Sequence, residues 1–330
     1  MKPNPVTGHR PPSRHRCATL SSRETRAGAH LQALLVVAWL CLCSVLPAGA
    51  QVSGYLYVTM LSGYNLVANP FNARIGAAID NSLTNVLRRV PDGTYAYAWD
   101  SGSQSFRGAI YSTNTGWSTS FDLPPSAGFV IKANSRWTNI FAGLVPTGTT
   151  NITILGGNKF SLVASYLYLA QPASLSALDF PVVDGENVYV YKAPNQSYAD
   201  AVTWFDGYGW FDPAGVVDIN GPVISAAQSF FVQNPGNTLL WSQSTGAGAS
   251  AAPAAKVTGA SGSSGATVGN LLIGPGKVTL GIANPGGQPY SVQFSTDGSR
   301  WTTLDTGQTG STWSGPLAGG GQGFYRVAQP

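Results

Sequence analysis

Three carboxylates recur at six-residue intervals in the segment WFDGYGWFDPAGVVDING: Asp206, Asp212 and Asp218. Paired carboxylates are what glycoside hydrolysis needs, one as acid and the other as base or nucleophile. Clustered carboxylates are also what a hard cation such as calcium needs, which makes these three the candidate metal ligands. The spacing fits no EF-hand loop, where acids recur two apart and a Glu closes the loop. The same segment holds five aromatics in eight positions: Trp204, Phe205, Tyr208, Trp210 and Phe211. A strand cannot bury all five on one face. Trp204, Tyr208, Trp210 and Phe211 are therefore the expected binding residues, since exposed rings stack on sugars or anchor a protein partner. The alternative is that most of the tryptophans are core, because a β-domain without disulfides needs large apolar side chains.

Chemistry elsewhere is narrowed by where the reactive residues fall. Every Cys (Cys17, Cys41, Cys43) and every His (His9, His15, His30) lies in the first 50 residues. That stretch reads as a secretory leader. Basic residues run to Arg26, an apolar run spans Leu31 to Leu46, Pro47 breaks it, and Ala48-Gly49-Ala50 supplies the small-residue cleavage site. Cleavage is predicted between Ala50 and Gln51; an uncleaved signal anchor is the alternative. The mature chain then lacks thiol and imidazole. Disulfides, Cys or His metal sites, Ser-His-Asp triads and Cys-His dyads are excluded, and no cofactor is expected. With the leader removed, 12 bases face 13 acids, so there is no basic stripe for nucleic acid. No phosphate-binding loop, GxSxG or dinucleotide fingerprint occurs. The Asn151-Ile152-Thr153 and Asn195-Gln196-Ser197 sequons are read as coincidental.

The elements that must position any site come in two copies. GYNLVANPF at 63–71 matches KFSLVASYL at 159–167, and VPDGTYAYAW at 90–99 matches VVDGENVYVY at 182–191. Gly116-Trp117 matches Gly209-Trp210, and Phe129-Val130-Ile131 matches Phe230-Phe231-Val232. The matched segments are short, alternating or β-branched, and bounded by turn signals, which reads as strands of a sandwich or barrel. Asp92 and Asp184 each precede Gly and read as turn residues. Asp206 and Asp212 align with Thr113 and Thr119, so the first copy has no acid there. One short helix per copy is predicted, over Ile75 to Val86 and Ala173 to Leu178.

The fold class predicted is all-β: tandem duplicated sandwich- or barrel-like domains at 51–147 and 148–243, after a signal segment at 1–50. Residues 244–267 are almost wholly Gly, Ala, Ser and Thr and read as a flexible linker spanning about 25–30 Å. Residues 268–330 form a small third β-unit with strands near 277–284, 290–295, 300–305 and 323–327. At this size, packing on a neighbour or on a partner is expected.

The twice-given pattern LVANP, VPDG-x-x-x-Y-x-W, GW and GF-V-I resembles a duplicated β-repeat of uncharacterised exported bacterial proteins. The tail YSVQFSTDGSRWTTL, ending in GFYRV, is similar to a fibronectin-III-like terminal module. Together these cover nearly all of residues 54–328. The resemblance implies architecture and an exported destination (extracellular, cell surface or periplasm), and it carries no catalytic residues to transfer. The reading is a secreted or cell-surface, non-enzymatic protein for adhesion, matrix or glycan and protein contact, with an extracellular glycan or surface protein as partner. A carbohydrate-active enzyme using an Asp of the 204–218 loop, or a spacer without ligand, are the alternatives.

Overall fold

The structure is a computed structural model, and it describes residues 51–330 except 76–77, 168–170, 246–264, 285, 319 and 330. The expected leader therefore lies outside the described residues, as does most of the expected linker. At the linker's margins, Ser244 and Thr267 belong to strands rather than to it. The fold is all-β and sandwich-like, with several antiparallel sheets and, among the described residues, no closed barrel. Among the described residues no helix is long and apolar enough to cross a membrane.

The first repeat runs through β1 (Ser53–Met60), β2 (Gly63–Ala68), β3 (Arg74–Ile75), β4 (Ala78–Ile79), α1 (Leu83–Val86), β5 (Tyr95–Asp100), β6 (Ser105–Ser112), β7 (Gly116–Trp117), β8 (Gly128–Ala133) and β9 (Trp137–Leu144). The second runs through β10 (Thr149–Ile154), β11 (Lys159–Ala164), β12 (Ala173–Ser174), β13 (Asn187–Tyr189), β14 (Tyr191–Lys192), β15 (Ser197–Tyr198), β16 (Val202–Phe205), β17 (Gly209–Phe211), β18 (Val217–Asp218), β19 (Val223–Ile224), β20 (Ser229–Asn234) and β21 (Leu239–Ser244). The predicted helices shrink to α1 and to a 3-10 turn at Ser176–Leu178. Ile75 and Ile79 sit instead on the β3–β4 hairpin and are exposed, while Leu83 and Val86 are the described residues of that stretch that reach the core.

The duplication is kept in the strand order of the two main sheets, the second adding β18 at its edge. The main sheet of the first repeat has strand order β2-β8-β5-β6-β7, and that of the second has β11-β20-β13-β16-β17-β18. Leu66 pairs with Val130, while Leu162 pairs with Phe231. Val130 pairs onward with Tyr97, and Phe231 onward with Tyr189. Each is the aligned residue of the other copy. Period-two alternation sorts the side chains of β8: Phe129 and Ile131 face the first repeat's own core while Val130 faces away. In β20, Phe230 and Val232 face inward and Phe231 faces away.

The outward-facing residues form the contact between the repeats. Leu66, Val130, Leu162 and Phe231 make one buried cluster, with Trp99 and Phe231 edge to face at 5.4 Å. Around it the hydrogen bonds come in matched pairs. Ala68 N donates to Ala227 O, and Ala164 N donates to Ser126 O. Gln104 clamps the backbone of Phe160, accepting from its N and donating to its O; Gln196 does the same to Tyr64. Gln104 and Gln196 both have positive φ, as do Ser126 and Ala227. The repeats are thus related by a local pseudo-twofold.

The C-terminal unit contains β22 (Thr267–Gly274), β23 (Lys277–Ala283), β24 (Tyr290–Ser295), β25 (Thr302–Gln308), β26 (Thr312–Pro316) and β27 (Gln322–Ala328). It is not a separate sandwich. Its outer sheet continues into the first repeat in the order β25-β24-β27-β1-β9. Strand β1, near the start of the described chain, lies between β27 and β9, and Tyr55 of β1 is fully buried in the C-terminal unit's core. A boundary at 268 therefore cuts across a continuous sheet.

Candidate functional site

The segment singled out in the sequence forms the tip of the second repeat's main sheet. β16 and β17 make a hairpin, with Trp204 opposite Trp210 and Phe205 opposite Gly209, and β18 adds a short edge strand. The hairpin is held by Asp184, which accepts a hydrogen bond from Asp206 N at 3.0 Å. Asp92 makes the equivalent bond to Thr113 N in the first repeat, at 2.8 Å. The recurring Asp-Gly pairs thus do more than shape their own turns: each carboxylate pins the neighbouring hairpin.

The expected binding residues divide. Trp210 is 1% exposed and belongs to the core. Its indole packs beneath Gly221, whose backbone approaches so closely that an added Cβ would overlap the ring. Trp204 is half-buried, lies edge to face with Trp210 at 5.4 Å, and donates Nε1 to Asp206 at 2.8 Å. Tyr111 and Trp117 repeat this geometry at 5.3 Å in the first repeat. The cross-strand aromatic pair therefore serves the fold in both copies, and Trp210 is a core residue rather than a contact residue. Tyr208 remains, at 72% exposure, with Phe211 and Phe205 edge to face beneath it. Alternation places Phe205 and Phe211 on the face opposite to Trp204 and Trp210.

Sequence reasoning missed the aliphatic half of this surface. Val216, Val217 and Ile219 are exposed alongside it, Ile219 at 73%. Val217 pairs directly with Phe211. The signal was available in the Val216-Val217 run flanked by glycine and Asp, which reads as a short edge strand.

The three Asp residues do not converge. Asp206 accepts from the Trp204 indole, Asp212 from Val216 N, and Asp218 from Asn220 N, so each carboxylate closes its own turn. Among the described residues no group of three His, Cys, Asp or Glu is placed to hold a metal ion. The charge around them in sequence is one-sided. Between residues 193 and 255 there is no Lys or Arg, while Asp200, Asp206, Asp212 and Asp218 lie there. Residues 148–243 carry seven acids against two bases, and residues 51–147 carry six bases against four acids.

One carboxyl is buried instead. Glu186 is fully buried, and neither of its oxygens has a hydrogen-bond partner among the described residues. Burial pushes its pKa up to about 8, so it is mostly protonated at neutral pH. Thr94 holds the aligned position in the first repeat, also fully buried. Neither residue opens onto the tip surface described above. No family model, curated protein or solved structure matches the chain, so the reading of this site rests on its own geometry.

Proposed function

We propose that this is an exported, non-enzymatic binding protein, in which paired β-repeats present an apolar, acid-rimmed tip for adhesive contact with a partner protein at the cell surface. The observation that carries this is the contrast between equivalent tips. The second repeat exposes Phe205, Tyr208, Val216, Val217 and Ile219, where the first exposes Thr113, Asn114, Thr115 and Ser118. A contiguous exposed apolar patch rimmed by polar groups marks an interaction surface. Branched aliphatic side chains offer a sugar neither a stacking face nor a hydrogen bond, so a protein partner fits better than a glycan. The surrounding aspartates favour a partner whose rim is basic.

Export rests on the leader, and the fibronectin-III resemblance of the tail is supported by its three-strand sheet β22-β23-β26 facing a longer one. The test is retention of the mature protein on envelopes prepared from the producing cells, compared with a Tyr208→Ser/Ile219→Ser variant. Loss of retention with an unchanged melting curve is expected, and protease treatment of the envelopes abolishes binding. Equal retention of both proteins sinks the reading. Polysaccharide hydrolysis that disappears in Asp212→Asn would establish the enzyme instead.

A further inference from the structure

A second site lies where the first repeat meets the C-terminal unit, on the far side of the β1–β9 pair from the first repeat's core. A cavity of about 290 Å³ opens there. Its floor is Tyr57, Ile140, Ala142 and Ile273, and Thr138 offers a hydroxyl at its side. Arg88 and Arg89 complete the lining. The volume is at the lower end for small-molecule pockets and matches a ligand of about one sugar ring.

The two arginines are held by a purpose-built turn. Arg88 N donates to Asn139 Oδ1, and Asn139 Nδ2 donates to Val86 O. Arg88 Nε donates to Asn85 O at 3.0 Å, which fixes the stem of the guanidinium and leaves its two Nη groups without a partner among the described residues. Arg89 has φ of 55°, a left-handed conformation that costs an arginine roughly 1–2 kcal/mol and directs the chain so that consecutive arginines line one cavity. No acidic side chain of the described residues forms an ion pair with either. A smaller cavity adjoins through Arg88 and Ala142, and Ser53, whose buried Oγ has no hydrogen-bond partner among the described residues, lines it.

The second repeat shows what the same place looks like without this feature. Phe180 and Pro181 align with Arg88 and Arg89, and Trp241 replaces Asn139. Trp241 Nε1 makes the equivalent bond, to Leu178 O, and Phe180 packs on it edge to face at 5.0 Å. Rings and proline fill the position in one copy. In the other a fully buried Asn supports two arginines beside an open, half-apolar cavity.

We propose that this seam binds a small anionic ligand of sugar-ring size, with the carboxylate or sulfate held by Arg88 and Arg89 and an apolar face laid on Tyr57 and Ile140. Planar guanidinium groups suit both oxyanions. This site is independent of the tip and of the reading drawn from it. The test is isothermal titration of the mature chain with glucuronate, with glucose 6-sulfate and with glucose. One or both anionic sugars bind, which identifies the oxyanion, and glucose does not. Arg88→Gln/Arg89→Gln lowers affinity at least tenfold with an unchanged melting temperature, and Arg88→Lys/Arg89→Lys restores part of it. Equal binding of glucose, no binding of either anion, or full affinity in the Gln variant overturns the proposal. So does acetate or inorganic sulfate competing as well as the sugar acids, since the cavity floor would then contribute nothing.

Discussion

The two repeats have the same strand order, registers and clamps, yet they have been elaborated at different ends. The first has its β1–β9 pair extended by β27, β24 and β25 and covered by β22, and it carries an arginine-lined cavity at that seam. The second leaves β10–β21 as a two-stranded ribbon and elaborates the opposite end, where β18 widens the main sheet and apolar side chains reach solvent. What is common to both copies, including the cross-strand aromatic pair and the Asp hairpin pins, is therefore scaffold. What differs is where the proposed contacts lie. Duplication supplies an internal control that a single domain would lack.

The sharpest way to break that division is through the tryptophans. Trp210→Ala removes a fully buried indole and should cost about 3–5 kcal/mol in chemical denaturation. Trp117→Ala removes its half-buried counterpart and should cost about half as much. If Trp210→Ala left stability unchanged, Trp210 would belong to the surface and the assignment of scaffold would fail.

Much of this was legible in the sequence because backbone geometry limits the choices. Asp-Gly turns, alternation in 95–99 and the matched Leu-Val-Ala segments identify strands, and the duplication ties their order together. Which tryptophan is buried was not legible. Alternation across 204–211 separates Trp204 and Trp210 from Phe205 and Phe211, but it does not say which face meets the core. That is decided by Phe180 and by Gly221, 30 residues before and 11 after Trp210 in sequence. The placement of β1 between β27 and β9 was equally hidden. A pairing between residues 53–56 and 322–325 leaves no local pattern. The arginine cavity escaped notice because Arg88-Arg89 reads as an ordinary solvated pair until the C-terminal unit is laid beside it.

Glu186 sharpens the comparison through pH. Burial raises its folded pKa to about 8 from the ordinary 4.5 of a glutamate. The sign follows from linkage: stability is fully present below the unfolded pKa and is lost as pH rises from about 4.5 through 8. The loss should reach roughly 4 kcal/mol by pH 8. Glu186→Thr, which installs the first repeat's residue, should flatten the profile across that window. Urea melts at pH 5 and pH 8 measure it. A wild-type profile as flat as the variant's would mean that the carboxyl reaches solvent or an unseen partner.

The glutamine clamps test the pseudo-twofold itself. Gln104→Ala and Gln196→Ala each remove two hydrogen bonds to the other repeat's backbone, so each should cost roughly 1–3 kcal/mol, and the two costs should agree. A large inequality would show that the symmetric contacts are unequal in energy. Gly63 adds a reason to expect some bias, since its backbone lies directly against the Gln196 amide with φ of 93°.

The smallest effect is the most diagnostic of shared strain. Ser126 and Ala227 occupy matched positions, with φ of 76° and 54°, and each offers its carbonyl to the opposite repeat. A left-handed backbone costs an L-residue roughly 1–2 kcal/mol, and glycine escapes that penalty while losing more entropy on folding. Ser126→Gly and Ala227→Gly should therefore each leave the protein more stable, by up to about 1 kcal/mol, without weakening the bonds from Ala68 and Ala164. Hydrogen exchange at those two amides gives the check. Faster exchange at Ala68 in Ala227→Gly would mean that the side chain, not the inter-repeat bond, holds the carbonyl in place.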